Sequence, residues 1–181
     1  MFTSTCIFVP EELFALAESS PFRGVFELPV LSVGPDEYRF AEPLSWDVTV
    51  TNTGEALLLM GSVRGTARTA CGRCLEEFET ELEGEVEGYV LLDASVPAPE
   101  DMDADEYSVL GEDHVIDLEP LLVAALVLEL PLVPLCKEDC KGLCPTCGEN
   151  LNEGPCGCTP ADDEFSTSPF AVLKDFPFEA Q

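Results

Sequence analysis

Six of the nine cysteines, Cys136, Cys140, Cys144, Cys147, Cys156 and Cys158, fall within one short run, and no other feature constrains this chain more. Thiolates bind zinc in tetrahedral sets of four at about 2.3 Å. The stretch Cys144-Pro145-Thr146-Cys147-Gly148 has the form of a zinc knuckle. In a knuckle two cysteines curl round one ion, backbone amides point at the sulfurs, and the glycine lets the chain turn away. The sequence therefore predicts a Zn2+ site built on Cys144 and Cys147. Cys156 and Cys158 are the expected second pair, because Asn150, Asn152, Gly154 and Pro155 are turn formers able to fold them back over the first. Cys136 and Cys140 are the alternative pair.

A disulfide cluster would need an oxidising compartment. The opening MFTSTCIFVPEELF has no basic n-region and no continuous apolar h-region, so the expected setting is the reducing cytoplasm. The longest apolar run, near Leu121 to Leu130, contains Glu129 and is closed by Pro131, short of the ~18 residues that suggest a membrane span. Asp and Glu number 36 against 8 Lys and Arg, a formal net charge of −28; four thiolates and one zinc ion, −4 and +2, would make it −30. Such a surface repels phosphate and attracts basic proteins, which excludes broad electrostatic binding of DNA or bare RNA. No nucleophile and base pair, phosphate loop or carboxylate–histidine cluster is present, so the expected role is not enzymatic.

Alternation organises much of the remainder. Leu13, Phe14, Leu16 and Ala17 fit one face of a short helix started near Pro10, and Cys6 reads as a small buried hydrophobe. Residues 25–31 read as a strand with Pro29 at an edge or an end. Leu44, Trp46, Val48 and Val50 alternate with polar residues as in a half-buried strand, and Asn52-Thr53-Gly54 turns the chain into a run from Ala56 to Ala70. Cys71-Gly72-Arg73-Cys74 then suggests a two-residue hairpin turn, which would set Val63 opposite Leu82, Arg68 opposite Glu77 and Arg64 opposite Glu81. Cys71 and Cys74 fit equally a buried, metal-free pair and a contribution to zinc binding.

The returning strand carries Glu77, Glu79, Glu81, Glu83, Glu85 and Glu87, one at every second residue. That ladder reads either as a solvated outer face or as a docking strip for a basic protein segment, with Glu83, Glu85 and Glu87 as its partner-facing part. Residues 93–113, with Pro97, Pro99 and an acidic run, read as a linker or long loop, and His114 beyond it as structural. Asp117 is placed to cap a helix from Leu118 to Leu130 that is apolar nearly all round and so expected to be buried. The architecture expected is α+β: an antiparallel β meander, either open or barrel-like in the sense of a sheet curling on itself, packed on that helix. It would comprise a core over residues 1–135, a zinc-binding module over 136–158, and a polar linker with a short apolar end over 159–181.

Three stretches taken together, Gly61 to Leu75, Val115-Ile116-Asp117-Leu118-Glu119, and Cys136 to Asn152, resemble the YceD family, named for large ribosomal RNA subunit accumulation. The ending Ser168 to Leu173 extends the resemblance, which covers roughly residues 25–176. It implies a non-enzymatic role in accumulation or processing of 23S ribosomal RNA and in large-subunit assembly. It also implies a basic large-subunit ribosomal protein, such as the small zinc-ribbon one, as partner, with precursor 23S rRNA touched directly or through it. The alternative is a protein-binding adaptor with a purely structural zinc site. Under the first reading Arg73, Lys137 and Lys141 are the expected RNA-facing cations.

Overall fold

The computed structural model describes residues 5–97, 99, 102–104 and 106–158. In chain order its elements are β1 (Cys6–Phe8), a 3-10 turn (Glu11–Phe14), β2 (Ser19–Phe26), β3 (Val30–Val33), β4 (Asp36–Phe40), β5 (Leu44–Asn52), β6 (Ala56–Ala70), β7 (Glu77–Leu91), β8 (Ser108–Val109), β9 (Val115–Asp117) and α1 (Glu119–Glu129).

The long strand β6 is the spine. It pairs along its whole length with β7 on one side. On the other side it pairs first with β5, over Leu57 to Arg64, and then with β4 at Ala67 and Arg68. Outside these lie β2 against β5, β3 against β4, and β8, which runs parallel to β7 at Val90 and Leu91 only. β1 and β9 form a separate two-stranded ribbon. The result is an open, mostly antiparallel sheet with one helix; the expected curl toward a barrel is not adopted.

One face of the sheet is the core. The alternation of β5 puts Leu44, Trp46, Val48 and Val50 inside, together with Leu57, Leu59, Val63 and Ala67 of β6 and Leu82, Val86 and Val90 of β7. Against them α1 buries Leu122, Ala125 and Leu126. Two glycines let the helix come this close: a Cβ on Gly84 would stand 2.6 Å from the Ala125 backbone, and one on Gly88 would stand 2.7 Å from Leu121. The helix starts one residue later than expected, with Leu118 at its N-cap, and Asp117 just before it accepts the Glu119 N–H through Oδ1 at 3.0 Å.

Several expectations are corrected. The β6–β7 register is displaced by two residues, pairing Arg64 with Glu83, Arg68 with Glu79 and Val63 with Gly84. The connection is longer than a two-residue turn: the Cys71 N–H donates to Glu76 O at 2.9 Å, so residues 72–75 form the tip. α1 is buried on one side only, since Ala124, Val127 and Leu128 are exposed; the sheet covers a single face of a helix that ends against proline. The expected N-terminal helix is a single 3-10 turn, with Leu13 buried while Phe14 and Leu16 are exposed. Pro29 divides the expected strand at 25–31 into the end of β2 and the start of β3, because it donates no ladder hydrogen bond. Cys6 is exposed, on the outward side of the short β1.

Part of the acidic 93–113 stretch lies outside the described residues, and its far end supplies β8. His114 packs its ring 4.9 Å from Phe14 and 6.4 Å from Phe8. The expected polar linker and apolar segment of 159–181 lie outside the described residues.

The Gly84 contact yields a stability test. Gly84→Ala must push α1 off β7, and overpacking of this kind costs about 1–3 kcal/mol in urea unfolding. Glu85→Ala next to it, with an exposed side chain, is expected to stay within about 0.5 kcal/mol.

Candidate metal centres

The β6–β7 tip and the first turn of the cysteine module have the same local structure. At the tip the Leu75 N–H donates to Cys71 O at 2.9 Å and the Arg73 N–H to the Cys71 Sγ at 3.5 Å. In the module the Gly148 N–H donates to Cys144 O at 2.9 Å and the Thr146 N–H to the Cys144 Sγ at 3.4 Å. Each turn leaves through a residue of positive φ, Leu75 at 61° and Gly148 at 77°. Both are therefore knuckles. The tip knuckle was obscured in the sequence because a leucine stands where the glycine is expected; Leu75 is exposed, so only its backbone conformation is used.

The sulfurs assemble into two sets of four, each with all its sulfurs within 4.8 Å of one another. Cys71 and Cys74 of the hairpin tip join Cys136 and Cys140; Cys144 and Cys147 join Cys156 and Cys158. The alternative of Cys136 and Cys140 completing the Cys144–Cys147 knuckle is not the grouping adopted, because those two are spent on the hairpin. In the first set Cys71 and Cys140 sulfurs are 3.8 Å apart and those of Cys74 and Cys136 3.7 Å. A tetrahedron with metal–sulfur bonds of about 2.3 Å has edges of about 3.8 Å, so these residues fit a four-coordinate ion of zinc's size. The first set is the more enclosed, with Cys71, Cys74 and Cys140 buried; in the second only Cys144 is.

Titration points the same way. Burial opposes the Cys71 thiolate, yet the backbone N–H groups of Cys136, Cys74 and Arg73 outweigh it and hold this thiol at about 6. Cys144 is likewise held at about 6, by the backbone N–H groups of Cys147 and Thr146 and the Cys156 thiol. Burial and the neighbouring thiols push Cys136 up to about 12. Cys158 is pushed up to about 12 as well, first by its contact with Cys147 and then by burial. In the first set Cys71 and Cys140 are thus favoured as thiolates, Cys140 chiefly by the Asn152 side chain, while Cys74 and Cys136 are suppressed; in the second Cys144 is favoured while Cys156 and Cys158 are suppressed, since negative sulfurs this close repel one another. A bound dication would relieve that repulsion and ionise all four.

Backbone and side chains tie the two sets together. Asn152, between Cys147 and Cys156 in sequence, reaches back so that its Nδ2 donates to Cys140 Sγ at 3.4 Å while its Oδ1 accepts the Lys141 N–H at 3.0 Å. The Leu143 N–H donates to Arg73 O at 3.1 Å, and Gly142, at φ 74°, admits that carbonyl where a Cβ would stand 3.0 Å away. The Arg73 guanidinium donates to Cys140 O at 3.0 Å and Glu138 O at 3.5 Å. Of the three expected RNA-facing cations, Arg73 therefore spends its head group on the module's own carbonyls, while Lys137 and Lys141 are exposed.

The glutamate ladder lies on the solvent face of the sheet. Arg64 bonds Glu83 at 2.8 Å, Arg68 bonds Glu79 at 2.9 Å, and Arg39 of β4 reaches Glu77 at 3.5 Å. Of the expected partner strip Glu83, Glu85 and Glu87, the first is thus paired. Glu81, Glu85 and Glu87 have no ion pair among the described residues.

An open sheet whose longest hairpin carries half of a four-cysteine cluster at its tip, completed by a cysteine-rich C-terminal stretch with a second such cluster, defines the class. The model of a family described as large ribosomal RNA subunit accumulation protein YceD matches residues 59–177, and the chain belongs to that family. It is 28% identical over 144 residues to an uncharacterized protein of Mycobacterium leprae (strain TN), covering 78% of this chain and 62% of that one. With an uncharacterized protein of Mycobacterium tuberculosis (strain ATCC 25618 / H37Rv) it shares 33% over 114 residues, 62% of this chain and 53% of that one. With the large ribosomal RNA subunit accumulation protein YCED homolog 1, chloroplastic, of Zea mays it shares 30% over 144 residues, 65% of this chain and 49% of that one. The chain thus spans about half to three-fifths of the length of these curated relatives. No solved structure matches it.

Leu75 provides a test of the tip knuckle. A non-glycine residue at positive φ costs about 1–2 kcal/mol, so Leu75→Gly is expected to retain stability in urea or gain up to about 1 kcal/mol. Leu75→Val, β-branched at the same φ, is expected to lose about 1–2 kcal/mol.

Proposed function

We propose that the protein is a non-enzymatic cytoplasmic factor in the accumulation of 23S ribosomal RNA and assembly of the large ribosomal subunit. It acts by holding a basic large-subunit ribosomal protein, with precursor rRNA engaged directly or through that protein. The observation that carries the reading is the extent of the family match: residues 59–177 take in β6 from Leu59 onward, β7, α1 and all eight cysteines of the two clusters. The family's name concerns large-subunit rRNA, and the matched region is the glutamate-laddered hairpin with its cysteine module. Among the described residues no helix is long and apolar enough to cross a membrane.

Zn2+ is the ion this reading assigns to both clusters. All-thiolate donor sets suit zinc, and the sulfur spacing suits its tetrahedral geometry. When bound, zinc would supply folding free energy, and both sites lack a free coordination position of the kind catalysis uses.

Between protein and RNA as the immediate contact, the arginines favour protein. Arg39, Arg64 and Arg68 are engaged by glutamates and Arg73 by carbonyls, which leaves, among the described residues, Arg23 on β2 and the small cationic spot of Lys137 and Lys141 beside the cysteines. Within the ladder, Glu81, Glu85 and Glu87 are the carboxylates available to a basic partner.

Depletion of the protein is expected to lower mature 23S rRNA and raise its precursor; normal levels of both would overturn the reading. Elemental analysis is expected to find about two zinc ions per chain, and about one after Cys74→Ser. Reversing Glu85 and Glu87 to Lys is expected to weaken capture of basic ribosomal proteins several-fold at low salt, and less at high salt.

A further inference from the structure

β7 is an edge strand over most of its length. β6 lies on one side of it, and β8 covers the other only at Val90 and Leu91, so no described strand pairs with residues 77–89 there. The direction of its backbone groups follows from bonds at its two ends. At the tip the Cys71 N–H donates to Glu76 O at 2.9 Å, and at the far end the Leu92 N–H donates to Glu55 O at 3.1 Å, so even-numbered residues turn toward β6. Leu91 O instead accepts the Leu110 N–H at 2.8 Å on the opposite side. The β6–β7 register has no bulge between these points, and antiparallel strands alternate strictly. Every glutamate of the ladder is odd-numbered. Their N–H and C=O groups therefore face the open edge, while their side chains line the solvent face.

An unpaired edge of this length is a template for another strand, and proteins that leave one open usually guard it with charge. Here the guard is selective. A second copy of the chain would bring ladder against ladder, and like charges directly opposite one another repel. A strand with Lys or Arg at alternate positions would meet the ladder with opposite charge. Three carboxylates, Glu79, Glu83 and Glu77, already hold arginines from within the sheet; Glu81, Glu85 and Glu87 remain for the incoming side. On the other face, where Leu82 and Val86 are buried and α1 leaves Val127 and Leu128 exposed, the intervening positions would be apolar.

We propose that the open edge of β7 captures an extended basic segment of a partner protein as an added β-strand, with alternate cationic residues against Glu81, Glu85 and Glu87. Backbone bonds to the odd-numbered residues would give affinity, and the ladder would fix register and select the partner. This rests on the reading that the acidic face binds a basic protein, and specifies how it does so.

The test uses the full chain and three blocked peptides: one alternating lysine and valine, one of the same composition with the lysines grouped, and the alternating one N-methylated on the amides that would bond to β7. Fluorescence anisotropy is expected to show the N-methylated peptide binding about tenfold more weakly or worse, since several hydrogen bonds are lost. Amide exchange is expected to slow at Glu81, Glu83, Glu85 and Glu87 when the alternating peptide binds. Equal binding of all three peptides without protection would overturn strand addition while leaving acidic capture intact. Binding by none of them would overturn both. Protection of the same amides in the free chain that disappears on deleting residues 159–181 would show the edge to be filled by the chain's own tail, and would also overturn the proposal.

Discussion

The junction of Cys71, Cys74, Cys136 and Cys140 is the constraint on which the arrangement depends. It joins the end of the longest hairpin to a segment that follows α1, across more than sixty residues of chain. Closing a loop of that length costs chain entropy, which contact between thiols alone would scarcely offset. An ion held as structural zinc is held in small zinc-finger peptides, with an apparent free energy of about 10–16 kcal/mol, would be ample for the purpose. Around the four sulfurs the hydrophobic contribution is small: Phe78, Leu135 and Leu143 pack on the cysteines as a cluster separate from the main core. The hairpin tip and the module thus share a small interior of their own, organised by sulfur instead of by aliphatic side chains.

Much of the sheet was legible in the sequence because its alternation is strict and one-sided. Leu44 to Val50, the β6 run and the glutamate strand all emerge where the period of two placed them. The register did not, and the reason is local. A two-residue turn at Gly72-Arg73 satisfies both faces of the hairpin, apolar against apolar and arginine against glutamate, and so does a register displaced by two, since shifting by an even number keeps every side chain on its face. The choice is made by the knuckle, which needs residues 72–75 outside the ladder. Had Leu75 been glycine, its likeness to Gly148 would have been visible in the sequence. The partition of the cysteines failed to show for a related reason: nothing in the linear spacing says that a pair at 71 and 74 approaches a pair at 136 and 140.

The register matters for function because it decides which carboxylates are occupied. With Arg64 on Glu83, Arg68 on Glu79 and Arg39 on Glu77, the three arginines paired with the ladder engage it no further from the tip than Glu83. These are exposed pairs, worth little in stability. Their effect is on the shape of the field: negative charge is left concentrated around Glu85 and Glu87, away from the tip. In a chain of net charge −28 that asymmetry is a directional feature as well as a quantity.

The two clusters are arranged in series. Asn152 lies within the loop that closes the second cluster, yet its amide donates to a sulfur of the first, and the Leu151 N–H donates to Gly142 O at 2.9 Å between them. An N–H donated to a thiolate strengthens as negative charge settles on the sulfur, so ion binding at the first cluster would tighten the Asn152 contact and hold the second loop in its closed form. By linkage the coupling is reciprocal, so closure of the second loop would favour ion binding at the first cluster to the same degree. The two differ in position: only the first cluster includes sulfurs of the β6–β7 tip, and the second extends outward from it. What the pair gives the fold is a rigid tip at one end of the β6–β7 hairpin, and with it a fixed direction for the glutamate edge that runs back from that tip.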